Sequence, residues 1–191
     1  MALPSYNKAA RRKSYTQLPK GAYVLRIIGA REEQNKSGSG THLTIAFDVA
    51  EGEYAGIYQK QHESDTSKPW PNDGMFYLTV PTDGCQAYVM DNWNTFFADL
   101  EDSNNGFVFS GDPKMLKGKF IGGKFRLEEH EYNGKVYSNT KMVWTCVADD
   151  VRKGNAGRMP NDKKLAQSAA PAMGDDFVAL PDGMDDDELP F

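Results

Sequence analysis

Long apolar runs are missing from this chain. The best candidate, Tyr23 to Ala30, is short and interrupted by Arg26, whereas a membrane-crossing helix needs about 20 apolar residues, so no membrane partner is expected. Cysteine is scarce: Cys85 and Cys146 are too few for a disulfide framework and lack Cys-x-x-Cys spacing. Both are expected to be small buried hydrophobes. His42, His62 and His130 are scattered without metal-ligand spacing. No Gly-rich loop follows a strand to cradle phosphate, and no Ser, His and Asp grouping suggests a nucleophile. No catalytic activity, metal or cofactor is therefore expected. Glu128, Glu129 and Glu131 read as a solvated strand edge at a hairpin, not as a carboxylate site. Residues 1–20 lack an apolar signal core, which points to the cytoplasm.

Charge of both signs is plentiful, and it is segregated. The net charge of −5 over 191 residues hides a first stretch, 1–36, with eight Lys/Arg against two acids. Residues 37–111 carry two against eleven, and residues 112–174 carry twelve against seven. The last seventeen residues have seven acids and no basic residue. Basic stretches thus flank the middle of the chain, and the acidic end is able to compete for them. The length suits one domain plus a tail, and roughly 130 to 150 residues can bury a real core.

The apolar pattern supplies the elements. Ala22 to Glu32 is rich in Val, Leu and Ile and reads as a strand. In His42 to Ala50, Leu43, Ile45, Phe47 and Val49 alternate with Thr44, Ala46 and Asp48. A third strand is expected from Ile57 to Gln61, resuming at Met75 to Val80, with a loop around Pro69-Trp70-Pro71 between the two pieces. The period then changes to that of a helix. Asp83 and Gln86 form a capping box, and Val89, Trp93, Phe96, Phe97 and Leu100 fall on one stripe. Two strands follow, Lys119 to Tyr132 and Lys135 to Val147, joined by Asn133-Gly134, a favoured two-residue hairpin turn.

Three strands, one helix and two strands is the order of an OB-fold, the five-stranded Greek-key barrel of single-strand binders, with its helix between strands 3 and 4. Small sandwiches and SH3-like barrels are alternatives that the mid-chain helix disfavours. The expected organisation is a basic arm over 1–20, an OB domain over 21–150, a flexible linker over 151–174 and an acidic tail over 175–191.

The tail ends in Asp185-Asp186-Asp187-Glu188-Leu189-Pro190-Phe191: an acidic run, then an apolar tip with an aromatic ring beside the terminal carboxylate. This end resembles the C-terminal peptide of bacterial and phage-encoded single-stranded DNA-binding proteins, the SSB family. Glu188 departs from the family pattern, which passes directly from Asp to an aliphatic residue. The resemblance implies docking of these seven residues into pockets of replication, recombination or repair enzymes, with a basic side chain of the partner on the carboxylate. The body also resembles phage-encoded OB proteins that bind single-stranded DNA, through Leu116-Lys117-Gly118-Lys119, Glu131 to Tyr137, and Val151-Arg152-Lys153-Gly154. For such a protein the location would be the bacterial host cell.

Single strands are held without sequence preference by cations on phosphates and by aromatic rings under bases. With a two-residue turn at Asn133-Gly134, Tyr132 pairs with Lys135, His130 with Tyr137, Arg126 with Lys141 and Lys124 with Val143. One face then carries Lys124, Arg126, Tyr132, Lys135, Tyr137 and Lys141, a basic-aromatic platform. The other carries Phe125, Leu127, Met142, Trp144 and Cys146 as core, and a one-residue slip would exchange them. Arg11, Arg12 and Lys13 are candidates for phosphate, Arg26 for the same face, and Trp70 either hooks over a base or plugs the barrel mouth. The expected function is non-sequence-specific coating of single-stranded DNA, with partner enzymes recruited by the tip; a homo-oligomer is compatible with it. A recombination or replication adaptor with little DNA affinity, and an RNA-binding OB protein, remain as alternatives.

Overall fold

The alternation in Thr41–Val49 makes the second strand of a sheet, β2, and sends Leu43, Ile45, Phe47 and Val49 into the core. In the computed structural model, which describes residues 16–35, 38 and 40–165, β2 lies between β1 (Gly21–Gln34) and β3 (Met75–Thr79). The remaining strands are β4 (Phe120–Tyr132) and β5 (Lys135–Cys146). All neighbours are antiparallel, in the order β3-β2-β1-β4-β5. The chain is therefore mostly β, an open five-stranded antiparallel sheet with short helices. β1 is long enough to serve two partners: Gly21 to Arg26 pair with β4, and Leu25 to Gln34 pair with β2. A register shift between Ile27 and Gly29 interrupts the second ladder, a local irregularity of the kind that bends a strand.

Three α-helices, α1 (Ile57–Glu63), α2 (Ala87–Asp102) and α3 (Ala148–Arg152), and two 3-10 turns, Asn72–Gly74 and Pro113–Leu116, complete the elements of the described residues. The α2 stripe is placed as its period requires. Phe96, Phe97 and Leu100 are buried, and Trp93 packs against them. Phe96 stacks on Phe76 of β3 at 6.0 Å between centroids, so α2 lies against the sheet edge. Asn104 fixes its far end: the side-chain amide donates to Leu100 O and Phe120 O, both at 2.7 Å, and accepts from Phe120 N at 2.9 Å.

Three local expectations change. Ile57 to Gln61 is not the beginning of a strand; it is the body of α1. The cause lies on another element. The buried Asp48 carboxylate of β2 accepts hydrogen bonds from Tyr58 N at 3.0 Å and Gln59 N at 3.1 Å, satisfying donors that a helix start leaves open. The α2 capping box is also not formed. The helix begins after Gln86, which makes no side-chain cap, because Thr82 to Cys85 fold into a turn around Gly84 at φ 76° and leave Asp83 ahead of the helix. Finally, the segment expected as linker starts inside α3 and later docks. Lys163 N donates to Leu127 O and Glu129 N to Lys163 O, both at 2.9 Å, making a parallel bridge on β4 beyond the reach of β1.

Replacing Asp48 by Ala removes the acceptor of three backbone N–H groups, those of Val49, Tyr58 and Gln59. The expected loss is about 2–3 kcal/mol of unfolding free energy, read from urea denaturation. A loss below about 0.5 kcal/mol, the range of an ordinary surface substitution, would show that α1 does not depend on this cap.

Candidate nucleic-acid interface

The β4–β5 hairpin is built by its turn. Asn133 and Gly134 both take left-handed backbone, φ 52° and 70°, the combination that matches the twist of the flanking strands. Tyr132 pairs with Lys135, His130 with Tyr137 and Arg126 with Lys141, and residues 130–138 are all exposed. Tyr132 is 65% and Tyr137 45% accessible, and the His130 ring stacks on Tyr137 at 5.8 Å. One face of this arm therefore presents aromatic planes with Lys135 and Lys141 beside them.

Closer to the body, the register shifts. Phe125 faces Met142, but Lys124 faces Trp144 and not Val143, so Val143 is the extra residue of a bulge. This reverses the expected sides for the end of β5. Trp144, expected in the core, is 42% exposed and stands opposite Lys124. Cys146 also leaves the sheet core. It is buried near α3, in a space so close that a Cβ on Gly122 would lie 2.7 Å from its Sγ and 2.8 Å from Val151. Burial pushes the Cys146 thiol up to about 11, so it stays protonated at neutral pH. Thr145 turns to α2 and hydrogen bonds the Asp99 carboxylate, whose pKa is raised by burial against the opposing effects of that bond and Lys124.

Trp144 opens onto a groove of about 410 Å³ between β3, α2 and β5. Tyr77 of β3 and Tyr88 of α2 line it, at 55% and 61% exposure, with Phe96 at its floor and Lys124 on its wall. Sequence reasoning missed both tyrosines. The alternation of β3 carried the signal for Tyr77, since Phe76 and Leu78 take the inward positions. Tyr88 sits beside the α2 stripe, where nothing local marks it.

The other candidates divide. Arg126 lies on the platform but is engaged: its Nε and Nη2 donate to Glu128 Oε1 at 3.0 and 2.5 Å. Glu128, expected as a solvated edge, instead neutralises this face, with Lys141 Nζ 3.9 Å from its other oxygen. Burial would raise the Glu128 pKa, but the Arg126 hydrogen bond and the charges of Arg126, Lys141 and Lys163 outweigh it and hold the carboxyl below its ordinary range. Arg26 is exposed on β1 and aligns with Phe120, the end of β4 opposite Tyr132, so it does not join the hairpin. Trp70 packs against the core, and its N–H donates to Phe47 O and Gly74 O, each at 3.2 Å. Arg152, in the basic exit, is paired with Glu51 and Asp149. Arg11, Arg12 and Lys13, and the tip Asp185 to Phe191, lie outside the described residues.

The surface so defined is an exposed aromatic and cationic track on a β protein. Among the described residues no group of His, Cys, Asp and Glu is placed to hold a metal ion, and no helix is long and apolar enough to cross a membrane. Comparison with protein-family models and with curated proteins returns no match.

Because the Glu128 pKa is lower folded than unfolded, its contribution to stability is complete above the ordinary carboxyl range and is lost as pH falls through the depressed value. Glu128→Gln should flatten the acid limb of the stability curve and leave the neutral region parallel to that of the wild type. Superimposable acid limbs in urea titrations across pH would contradict the pairing.

Proposed function

We propose that this chain is a non-sequence-specific single-stranded DNA-binding protein of the phage-encoded type, which coats unpaired DNA and recruits replication, recombination or repair enzymes through its C-terminal tip. The observation that carries the proposal is the outward turn of Trp144 beside Lys124. It extends the exposed run of Tyr132, Tyr137 and Lys141 toward Tyr77 and Tyr88. Rings that offer open faces suit base stacking, each stack contributing about 1–3 kcal/mol, and adjacent lysines suit phosphates.

The strand order supports an OB assignment. An OB barrel opened between its third and fifth strands has the order 3-2-1-4-5, with the helix from the β3–β4 connection against the opening. Here α2 packs near that seam and the groove runs along it. Lys135, in no ion pair among the described residues, and Lys141, held by Glu128 only at 3.9 Å, supply the cationic part. Arg126 joins them where phosphate displaces Glu128. Residues 175–191 carry seven acids and no base, which makes them a competitor for the same cations, released for partners when DNA binds.

Fluorescence anisotropy of the full chain against matched single-stranded and duplex oligonucleotides at two salt concentrations tests this function. Tight single-strand binding that weakens with salt, and little duplex binding, is expected. The fall of log affinity with log salt should be about 0.7 per phosphate neutralised. Absence of single-strand binding, with and without residues 175–191, would contradict the proposal and leave the adaptor reading. Preference for RNA over DNA would indicate the RNA-binding alternative, through contacts to the 2′-hydroxyl. Removal of residues 175–191 should tighten single-strand binding at low salt and converge with the full chain at high salt, where charge competition is screened; equal affinity throughout would overturn the competition.

A further inference from the structure

The sheet order leaves β3 and β5 as its two outer strands, and they approach one another without pairing. The groove of about 410 Å³ lies in that gap, with Tyr77 and Thr79 of β3 on one side, Trp144 of β5 on the other and Tyr88 and Val89 of α2 across it. Val80 N donates to Thr41 O at 3.0 Å, back toward β2. Backbone groups of an antiparallel strand alternate in direction, so those of Tyr77 and Thr79 point away from β2 and into the gap. Both residues are exposed. An edge that offers two N–H and two C=O groups beside open aromatic rings is the combination that accepts an added strand. Among the described residues no acid lines the groove, and Lys124 is its one cation.

The chain itself supplies a segment of complementary chemistry. Outside the described residues, Phe177-Val178-Ala179-Leu180 is the only run of four apolar residues without a proline. Phe and Val favour strands, Pro181 ends the run because proline has no N–H to continue a ladder, and Asp175-Asp176 precede it. Leu165, the last described residue, is fixed beside β4, its N–H donating to Glu129 Oε2 at 3.1 Å. Phe177 follows twelve residues later, a reach of up to about 40 Å when extended. From Glu129 back to Lys124 along β4 is five residues, or about 17 Å. The run therefore reaches the groove of its own body with length to spare.

We propose that residues 177–180 dock in this groove as an added strand on the edge of β3, with the Phe177 ring among Tyr77, Tyr88 and Trp144 and with Asp175 and Asp176 near Lys124. Apolar contact and charge act together: ordering the segment and closing the loop oppose docking, so screening of the acids by salt weakens it. The C-terminal region then carries two separate apolar elements, one for its own body and the tip, Leu189-Pro190-Phe191, for partners. A docked segment covers Trp144, so it and a bound single strand exclude each other. That exclusion rests on the single-strand reading, whereas the docking does not.

Hydrogen exchange of the full chain at low salt, followed by mass spectrometry over residues 75–80, tests the docking without DNA. The double variant Phe177→Ala, Leu180→Ala keeps every charge and leaves the body untouched. Exchange at Tyr77 and Thr79 should be about two- to tenfold faster in the variant, and oligo-dT binding should tighten by the same factor, because the undocked fraction sets both. Removal of residues 189–191 alone should leave exchange unchanged. Equal exchange in wild type and variant would overturn the docking. So would protection lost on removal of residues 189–191, which would make the tip the occupant, or protection that rises with protein concentration, which would make it a second copy. Faster exchange with unchanged oligo-dT affinity would overturn the exclusion alone. Faster exchange in the variant with no oligo-dT binding by either chain would uphold the docking and overturn the single-strand reading.

Discussion

The bulge at Val143 is the constraint on which the functional side of this structure depends. One extra residue in β5 changes the side to which every later residue points. With it, Trp144 faces out beside Lys124, Thr145 reaches Asp99 of α2, and Cys146 is covered near α3. Without it, the indole would enter the core and the groove between β3, α2 and β5 would lose its central aromatic wall. The glycines opposite make the arrangement possible. A Cβ on Gly123 would lie 2.5 Å from Leu25 and one on Gly122 2.7 Å from Cys146, so β4 is squeezed where β5 changes phase. Gly122 and Gly123 therefore relate core packing directly to the exposed track.

Charge is arranged on a shorter length scale than the sequence blocks suggest. Arg126 is paired with Glu128, Arg152 with Glu51 and Asp149, and Lys20 with Asp162. Each pair lowers the positive field of a nominally basic stretch, and exposed pairs contribute little to stability. At the hairpin, Lys135 is in no ion pair among the described residues and Lys141 is held by Glu128 only at 3.9 Å, both next to exposed rings. A surface of this kind favours reversible, salt-sensitive contact over permanent pairing, which fits the proposed binding and release of a polyanion.

Much of the frame was legible because its signals are local. The alternation of Leu43, Ile45, Phe47 and Val49 fixed β2, the spacing of Phe96, Phe97 and Leu100 fixed the face of α2, and Asn133-Gly134 fixed the hairpin register out to Arg126 and Lys141. What was not legible depends on contacts distant along the chain. α1 forms where a strand was expected because Asp48, ten residues before Tyr58, caps it from β2. The bulge has no residue of its own to announce it, since Val143 suits a regular strand equally well. The exit after α3 returns to β4 through backbone bonds at Leu127 and Glu129 that no side-chain pattern encodes. The candidate site was thus half visible: the tyrosines and lysines of the hairpin could be placed from the turn, whereas Trp144, Tyr77 and Tyr88 come together only after folding.

The position of the single strand on this surface is most directly tested by photo-crosslinking the full chain to oligonucleotides containing 5-bromodeoxyuridine, with the modified residues identified by mass spectrometry. Crosslinks concentrated at Trp144, Tyr137 and Tyr132, and reduced by excess unmodified single strand but not by duplex, are expected. Crosslinks confined to Trp93 or to other residues of α2, with Trp144 unmodified, would contradict the assignment of the hairpin and its bulge as the binding face.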